Sequence, residues 1–260
     1  MTITTKMRKW IWLLPIFWLC TPFNNALADP VFMELHCFKA ATPFYEDLER
    51  DTWKPIHQKM VNSGDKLWWG VFAVVYGDKS QCDYYSLDVY SEKQFQAELN
   101  YVDVIQSIYP DKGIAAVWEK TFQDRSEMAT SLWIVEDETQ IVNFQWAKIN
   151  WMMASDKKVD DYLNAEKNQF KPVYQKLVDD KQMGGWRLYR LLEPGGSQLK
   201  YNFMTMDLWL QSGPPPLEKA FVAVHPKSNI DGALQKMEAT RERVNSQVLR
   251  LVVATDAAKQ

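Results

Sequence analysis

One stretch of this sequence is written twice. Trp53-Lys54-Pro55-Ile56-His57-Gln58-Lys59-Met60-Val61 returns as Phe170-Lys171-Pro172-Val173-Tyr174-Gln175-Lys176-Leu177-Val178, with five of the nine positions identical at an offset of 117. The same offset pairs Tyr45 with Tyr162, Glu49 with Glu166 and Trp69 with Trp186. Further on, Asp88-Val89-Tyr90 answers Asp207-Leu208-Trp209 at 119, and Lys39 is matched to Lys148 at 109. A repeat of this period means that each copy forms the same elements, and that the two copies share the work of covering apolar surface.

Each copy reads in one order. A strand (about 31–39 and 141–151) precedes a long helix that opens at Thr42-Pro43 or Ser155-Asp156, good capping and first-turn residues. An interior proline, Pro55 or Pro172, predicts a kink. Two strands follow as a hairpin (67–76 with 83–90, and 185–193 with 201–210). A helical stretch and a final strand (131–136 and 247–254) close the copy. The order is βαββαβ, twice, which is the ferredoxin-like unit. Its sheet has helices on one face, so the bare face needs a cover, and the second copy supplies it.

At this point the chain resembles the dimeric α+β barrel superfamily, in which two ferredoxin-like units pack their sheets into a barrel. The resemblance implies an α+β fold with both units in one chain, at 29–139 and 140–260. Members of the superfamily include cofactor-free monooxygenases, isomerases and haem-binding enzymes, so the fold alone selects no function.

The strand faces suggest a site. Met33, Leu35 and Cys37, with Val142, Phe144 and Trp146, form an apolar face expected under the helices. Leu87, Val89, Met206 and Leu208 are assigned to the same side. The opposite face carries Glu34, His36, Asn143 and Gln145 on the first strands. On the third strands it carries Tyr84, Ser86, Asp88 and Tyr90, and Phe203, Thr205, Asp207 and Trp209. This face is expected to line the barrel interior as a small-molecule cavity.

His36 with Asp88 is the sharpest pair, since a carboxylate beside an imidazole raises its pKa and fixes its tautomer, as a general base requires. The second copy is read as having Gln145 in place of His36. The structural alternative is that His36 and Asp88 simply satisfy each other. His57 and Tyr174 are read as helix-surface residues, and the tryptophans chiefly as core filling.

Cys37 ends the first strand and Cys82 precedes the third. With those strands taken as parallel, the two cysteines lie roughly 20 Å apart, beyond the reach of a disulfide. Residues 1–28 read as a cleaved secretory signal: Lys6, Arg8 and Lys9, an apolar run from Trp10 to Cys20, and Ala26-Leu27-Ala28 before the cut. That address implies a bacterial periplasmic or secreted protein, not integral to the membrane once cleaved.

The formal charge of −3 argues against a nucleic-acid partner. Three histidines and three cysteines give no metal-ligand pattern, and no nucleotide-binding or hydrolase motif is present. No cofactor or metal is expected. Three functions remain open: a binder of a small aromatic or amphipathic ligand, a cofactor-independent oxygenase or isomerase with His36 as base, and a non-catalytic module that self-associates as a homo-oligomer.

Overall fold

The computed structural model describes residues 29–196 and 199–256; the expected signal segment lies outside the described residues. Eight strands close into one barrel. They are β1 Val31–Ala40, β2 Trp68–Tyr76, β3 Tyr84–Ser91, β4 Arg125–Glu138, β5 Trp146–Met153, β6 Gly185–Glu193, β7 Phe203–Trp209 and β8 Glu242–Ala254. Their order around the barrel is β1-β3-β2-β8-β5-β7-β6-β4, and every neighbouring pair is antiparallel.

The strands form where apolar and β-branched residues run together and both faces can be buried. In β2, Trp-Trp-Gly-Val-Phe-Ala-Val-Val-Tyr is buried from Trp69 to Val74 without alternation, as expected of a strand covered on both sides. Gly70 is required there, because a Cβ would meet the Trp68 ring at 2.2 Å.

The long helices sit where the repeat predicts them. The first runs through Tyr45–Leu48, a π-helical stretch Glu49–Trp53, and Lys54–Ser63, ending on Gly64 in the left-handed region at φ 82°. The second runs through Val159–Asn164, a π-helical stretch Ala165–Phe170, and Lys171–Asp179. In both, the proline follows directly after the wide turn. The widened turn accommodates a residue without an N–H, the role assigned in the sequence to a kink.

Three cores hold the molecule. One is the barrel interior, filled by strand residues from both halves, among them Met33, Leu35, Leu87, Trp133, Ile149, Trp151, Met206 and Leu249. The other two lie outside the barrel wall. Tyr45, Trp53, Ile56 and Met60 pack helices on β1 and β2, and Tyr162, Phe170, Val173 and Phe221 do so on the second half.

This arrangement reverses the expected faces. Met33, Leu35, Cys37, Leu87, Val89, Met206 and Leu208 point into the barrel, not toward the helices. Glu34, His36, Ser86, Asp88, Thr205 and Asp207 lie on the opposite, helix-covered side. Both faces of β3 and β7 are buried, so polarity alone could not separate them. An eight-stranded barrel is just wide enough to be filled by side chains, and apolar ones fill it with no polar atom stranded. The polar side chains go under the helices, where in the first half Lys66 and Arg125 bond to Asp88 and Glu49.

The start of the fifth strand also changes. β5 begins at Trp146, so Val142 and Phe144 belong to the connector before it, together with Asn143 and Gln145, which are exposed. Phe144 instead stacks on Phe72 at the end of the barrel, 6.1 Å between ring centres. Lys148, not a partner of Lys39, stands opposite Asp207 at the register position where Glu34 stands opposite Asp88.

Cys37 and Cys82 form a disulfide with Cα atoms 5.3 Å apart. The expectation against it failed on strand direction. β1 and β3 are antiparallel, with Cys37 opposite Tyr85, so the residue just before β3 lies beside the end of β1.

Candidate functional site

A cleft of about 180 Å³ opens between the barrel wall and the helices of the first half, lined by His36, Trp53, His57, Trp69, Asp88 and Glu127 among others. Alternation on β1 and β3 sets its polar wall. Glu34 and His36 fall on the same face as Ser86, Asp88 and Tyr90 because these strands pair in register, Glu34 with Asp88 and His36 with Ser86.

The floor is a buried charge cluster. Lys66 comes from the loop after Gly64 and is 1% exposed. Its ammonium donates to Asp88 Oδ1, to His57 Nδ1 at 2.9 Å and to Tyr101 Oη at 3.2 Å, so all three N–H groups are used. A lysine can only donate, so His57 accepts on Nδ1 and carries its proton on Nε2. Burial, then the charge of Lys66, pushes the His57 pKa well below its usual range, and the ring is neutral. It lies flat on Trp69, 4.3 Å between ring centres, whose indole N–H donates to Ser86 Oγ at 2.9 Å. His57 is therefore buried and not the surface residue expected from its helix position. Burial opposes ionisation of Asp88 most strongly, but the charge and hydrogen bond of Lys66, with the charge of His36, outweigh it and hold the carboxyl down at about 2.

His36 sits above this floor with its side chain 22% exposed. Its Nε2 is 3.5 Å from Asp88 Oδ2, and its Nδ1 lies 2.9 Å from Glu127 Oε1 and 3.0 Å from Thr130 Oγ1. The Thr130 hydroxyl donates in turn to Glu127. Burial disfavours the imidazolium, yet the Glu127 hydrogen bond and the charges of Asp88, Glu127 and Glu34 outweigh that and raise the His36 pKa. The reciprocal effect holds Glu127 at about 2, chiefly through the His36 hydrogen bond. Glu34 moves the other way: burial raises it. Glu127 with His36 at the rim, and Asp88 with Lys66 and His57 at the floor, thus form two hydrogen-bonded groups, with His36 Nε2 3.5 Å from Asp88 Oδ2 between them.

The expected site residues divide into groups. Glu34, His36, Ser86, Asp88 and Tyr90 come together here. Tyr84 lines a different cavity with Glu46 and Arg250, donating to Glu46 Oε1 at 3.3 Å. Thr205 and Asp207 line a separate cavity under the helices of the second half, and Trp209 packs in the adjoining core. Asn143 and Gln145 join neither. Register puts Asn150, not Gln145, at the place of His36, since Asn150 faces Thr205 as His36 faces Ser86.

Lys66 and Glu127 were missed. Lys66 carried a usable signal: at the offset of 117 its counterpart is Met183, and a lysine where the repeat has methionine points to burial. Glu127 lay outside the strand boundary set at 131 and carried none. Among the described residues no group of three His, Cys, Asp or Glu side chains is arranged to hold a metal ion, and no helix is long and apolar enough to cross a membrane.

No family model and no curated protein matches the chain. Solved structures do. A provisional monooxygenase of Lactobacillus acidophilus superposes with a TM-score of 0.56 at 10% identity, covering 88% of this chain and 97% of its own. A provisional monooxygenase of Fusobacterium nucleatum does so at 0.56 and 6% identity, covering 90% and 98%. These likenesses show that the fold is shared with those two structures. At such identities they carry the fold and no activity.

Proposed function

We propose that the first-half cleft binds a small single-ring or similarly compact molecule and exchanges a proton with it through His36. The observation that carries this reading is the arrangement of His36. Glu127 holds its Nδ1, while its Nε2 stands 3.5 Å from Asp88 Oδ2, and the partly exposed ring lines the cleft. A cavity of about 150 Å³ takes up benzene, so the cleft suits one ring, with Trp53, Trp69, Trp118 and Tyr101 as walls. Below its raised pKa His36 holds a proton that Nε2 can donate to a developing anion. Above its raised pKa it acts as the base. Asp88 is a positioning residue, pinned by Lys66. Chemistry of this kind fits an isomerase or a cofactor-independent oxygenase; the oxygenase version draws only on the names of the fold neighbours.

A second reading, binding without conversion, is favoured by a cavity of about 280 Å³ at one end of the barrel. It is lined mainly by apolar residues, Trp68, Phe72, Phe144 and Met206 among them, with Arg187 at its edge.

The same proposal treats 29–139 and 140–260 as duplicated ferredoxin-like units. Matching registers support this, with Trp69 opposite Asp88 and Trp186 opposite Asp207. It also takes the protein as exported behind residues 1–28, which the Cys37–Cys82 bond supports, since disulfides persist in oxidising compartments.

The test is binding of phenol, followed by the indole N–H resonances of Trp53, Trp69 and Trp118. Binding that follows the His36 titration, and is lost in His36→Asn, supports the site. Phenol and benzene shifting none of these indoles, or binding unchanged in His36→Asn, refutes it. The intact mass of the protein purified from the periplasm tests cleavage after Ala28.

A further inference from the structure

The cavity under the helices of the second half, about 140 Å³, occupies the place that the His36 cleft occupies in the first. Register fixes the correspondence: Asp207 for Asp88, Asn150 for His36, Thr205 for Ser86, and Lys148 for Glu34. The charge is reversed. Around the first cleft stand Glu34, Glu49, Asp88 and Glu127, against Lys66 and Arg125. Around the second stand Lys148, Arg241 and Arg243, against Glu166 and Asp207.

The second set also differs in pairing. In the first half Arg125 is bonded to the buried Glu49, and Lys66 to Asp88. Among the described residues, Lys148, Arg241 and Arg243 make no ion pair within 4.0 Å and no side-chain hydrogen bond. The Arg241 Nε and the Asp207 Oδ1 are both buried without a partner. Three cations therefore converge on a cavity without closing on the carboxylates beside them. A buried guanidinium donor left unpaired is unfavourable unless something in the cavity accepts from it. Phe170, Leu217, Leu234 and Met237 complete the lining with apolar surface.

We infer that this second cavity is a binding site for a compact organic carboxylate, one ring in size. Arg241 Nε and Lys148 face the carboxylate, Arg243 guards the mouth, and the apolar wall takes the ring. Asp207 Oδ1 accepts from a hydroxyl or amino substituent where the ligand has one. A purely inorganic anion would leave the apolar wall uncovered. The site is separate from the His36 cleft and would stand if that cleft proved inert.

The probe is benzoate, with benzylamine as the cation of matching shape and inorganic phosphate as the anion without a ring. Trp186 reports the site, because its ring stacks on Tyr174, which lines the cavity, with 5.4 Å between centres. Saturable benzoate binding should shift the Trp186 indole resonance and leave Trp69 in place. Benzylamine and phosphate should do neither. Arg241→Gln should weaken benzoate at least tenfold. Arg243→Gln, at an exposed position where folding is not at stake, should weaken it severalfold. Absence of saturable benzoate binding to the wild-type protein overturns the inference. So does binding that shifts Trp69 instead, that phosphate matches, or that Arg243→Gln leaves unchanged.

Discussion

Replacing Lys66 by methionine, the residue the second half carries at Met183, tests the energetics of the charge cluster directly. In the wild-type protein Asp88 is held at about 2 chiefly by Lys66. Asp207, its counterpart without a buried lysine in contact, is pushed up by burial to about 6. If Lys66→Met moves Asp88 to the Asp207 condition, the difference is about four pK units, or about 5 kcal/mol. Removing one member of a buried pair typically destabilises by about 3–5 kcal/mol, so the two routes agree.

The sign with pH follows from the direction of each shift. A carboxyl depressed in the folded state stabilises above its unfolded value and loses that contribution as pH falls through its folded value, so wild-type Asp88 contributes nothing to a change between pH 7 and 5. A carboxyl raised to about 6 destabilises at pH 7, and roughly 1–2 kcal/mol should return by pH 5. Protonation of His57 in place of the lost ammonium would act in the same direction. Urea unfolding of both proteins at the two pH values measures this, with Lys66→Met/Asp88→Asn expected to recover most of the loss. A loss under about 1 kcal/mol at pH 7, or a variant that weakens further at pH 5, would refute the assignment of Lys66 as the counter-charge.

Three more outcomes are expected. Reducing the Cys37–Cys82 bond, which closes a loop of 45 residues, should destabilise by about 2–4 kcal/mol, read as a lowered urea midpoint against the oxidised protein. His36 should titrate above 6.5 by imidazole NMR; its stabilising contribution is complete below the unfolded value and fades as pH rises through the folded one, so His36→Asn should flatten that part of the pH–stability curve. Glu166 is raised by burial to about 7, which destabilises above the unfolded value, so Glu166→Gln should stabilise at pH 8 by up to about 3 kcal/mol and by less at pH 5.

By itself the sequence determined the order of the strands and long helices and a mixed α/β architecture. Those rest on local patterns: apolar runs for strands, Pro55 and Pro172 in matching helices, turns between β2 and β3. It also brought His36 and Asp88 together, because alternation along paired strands is a local rule. Tertiary structure decided which way that face looks. Both faces of the wall are buried, so the choice turned on what fits a narrow barrel interior and on which partners the helices and loops bring, namely Lys66, His57, Glu127 and Arg125. Strand direction decided the disulfide, and the start of β5 at Trp146 decided that Asn150, and not Gln145, answers His36. Each is a relation between segments far apart in the chain, and burial, pairing and charge compensation acquire values only once those segments meet.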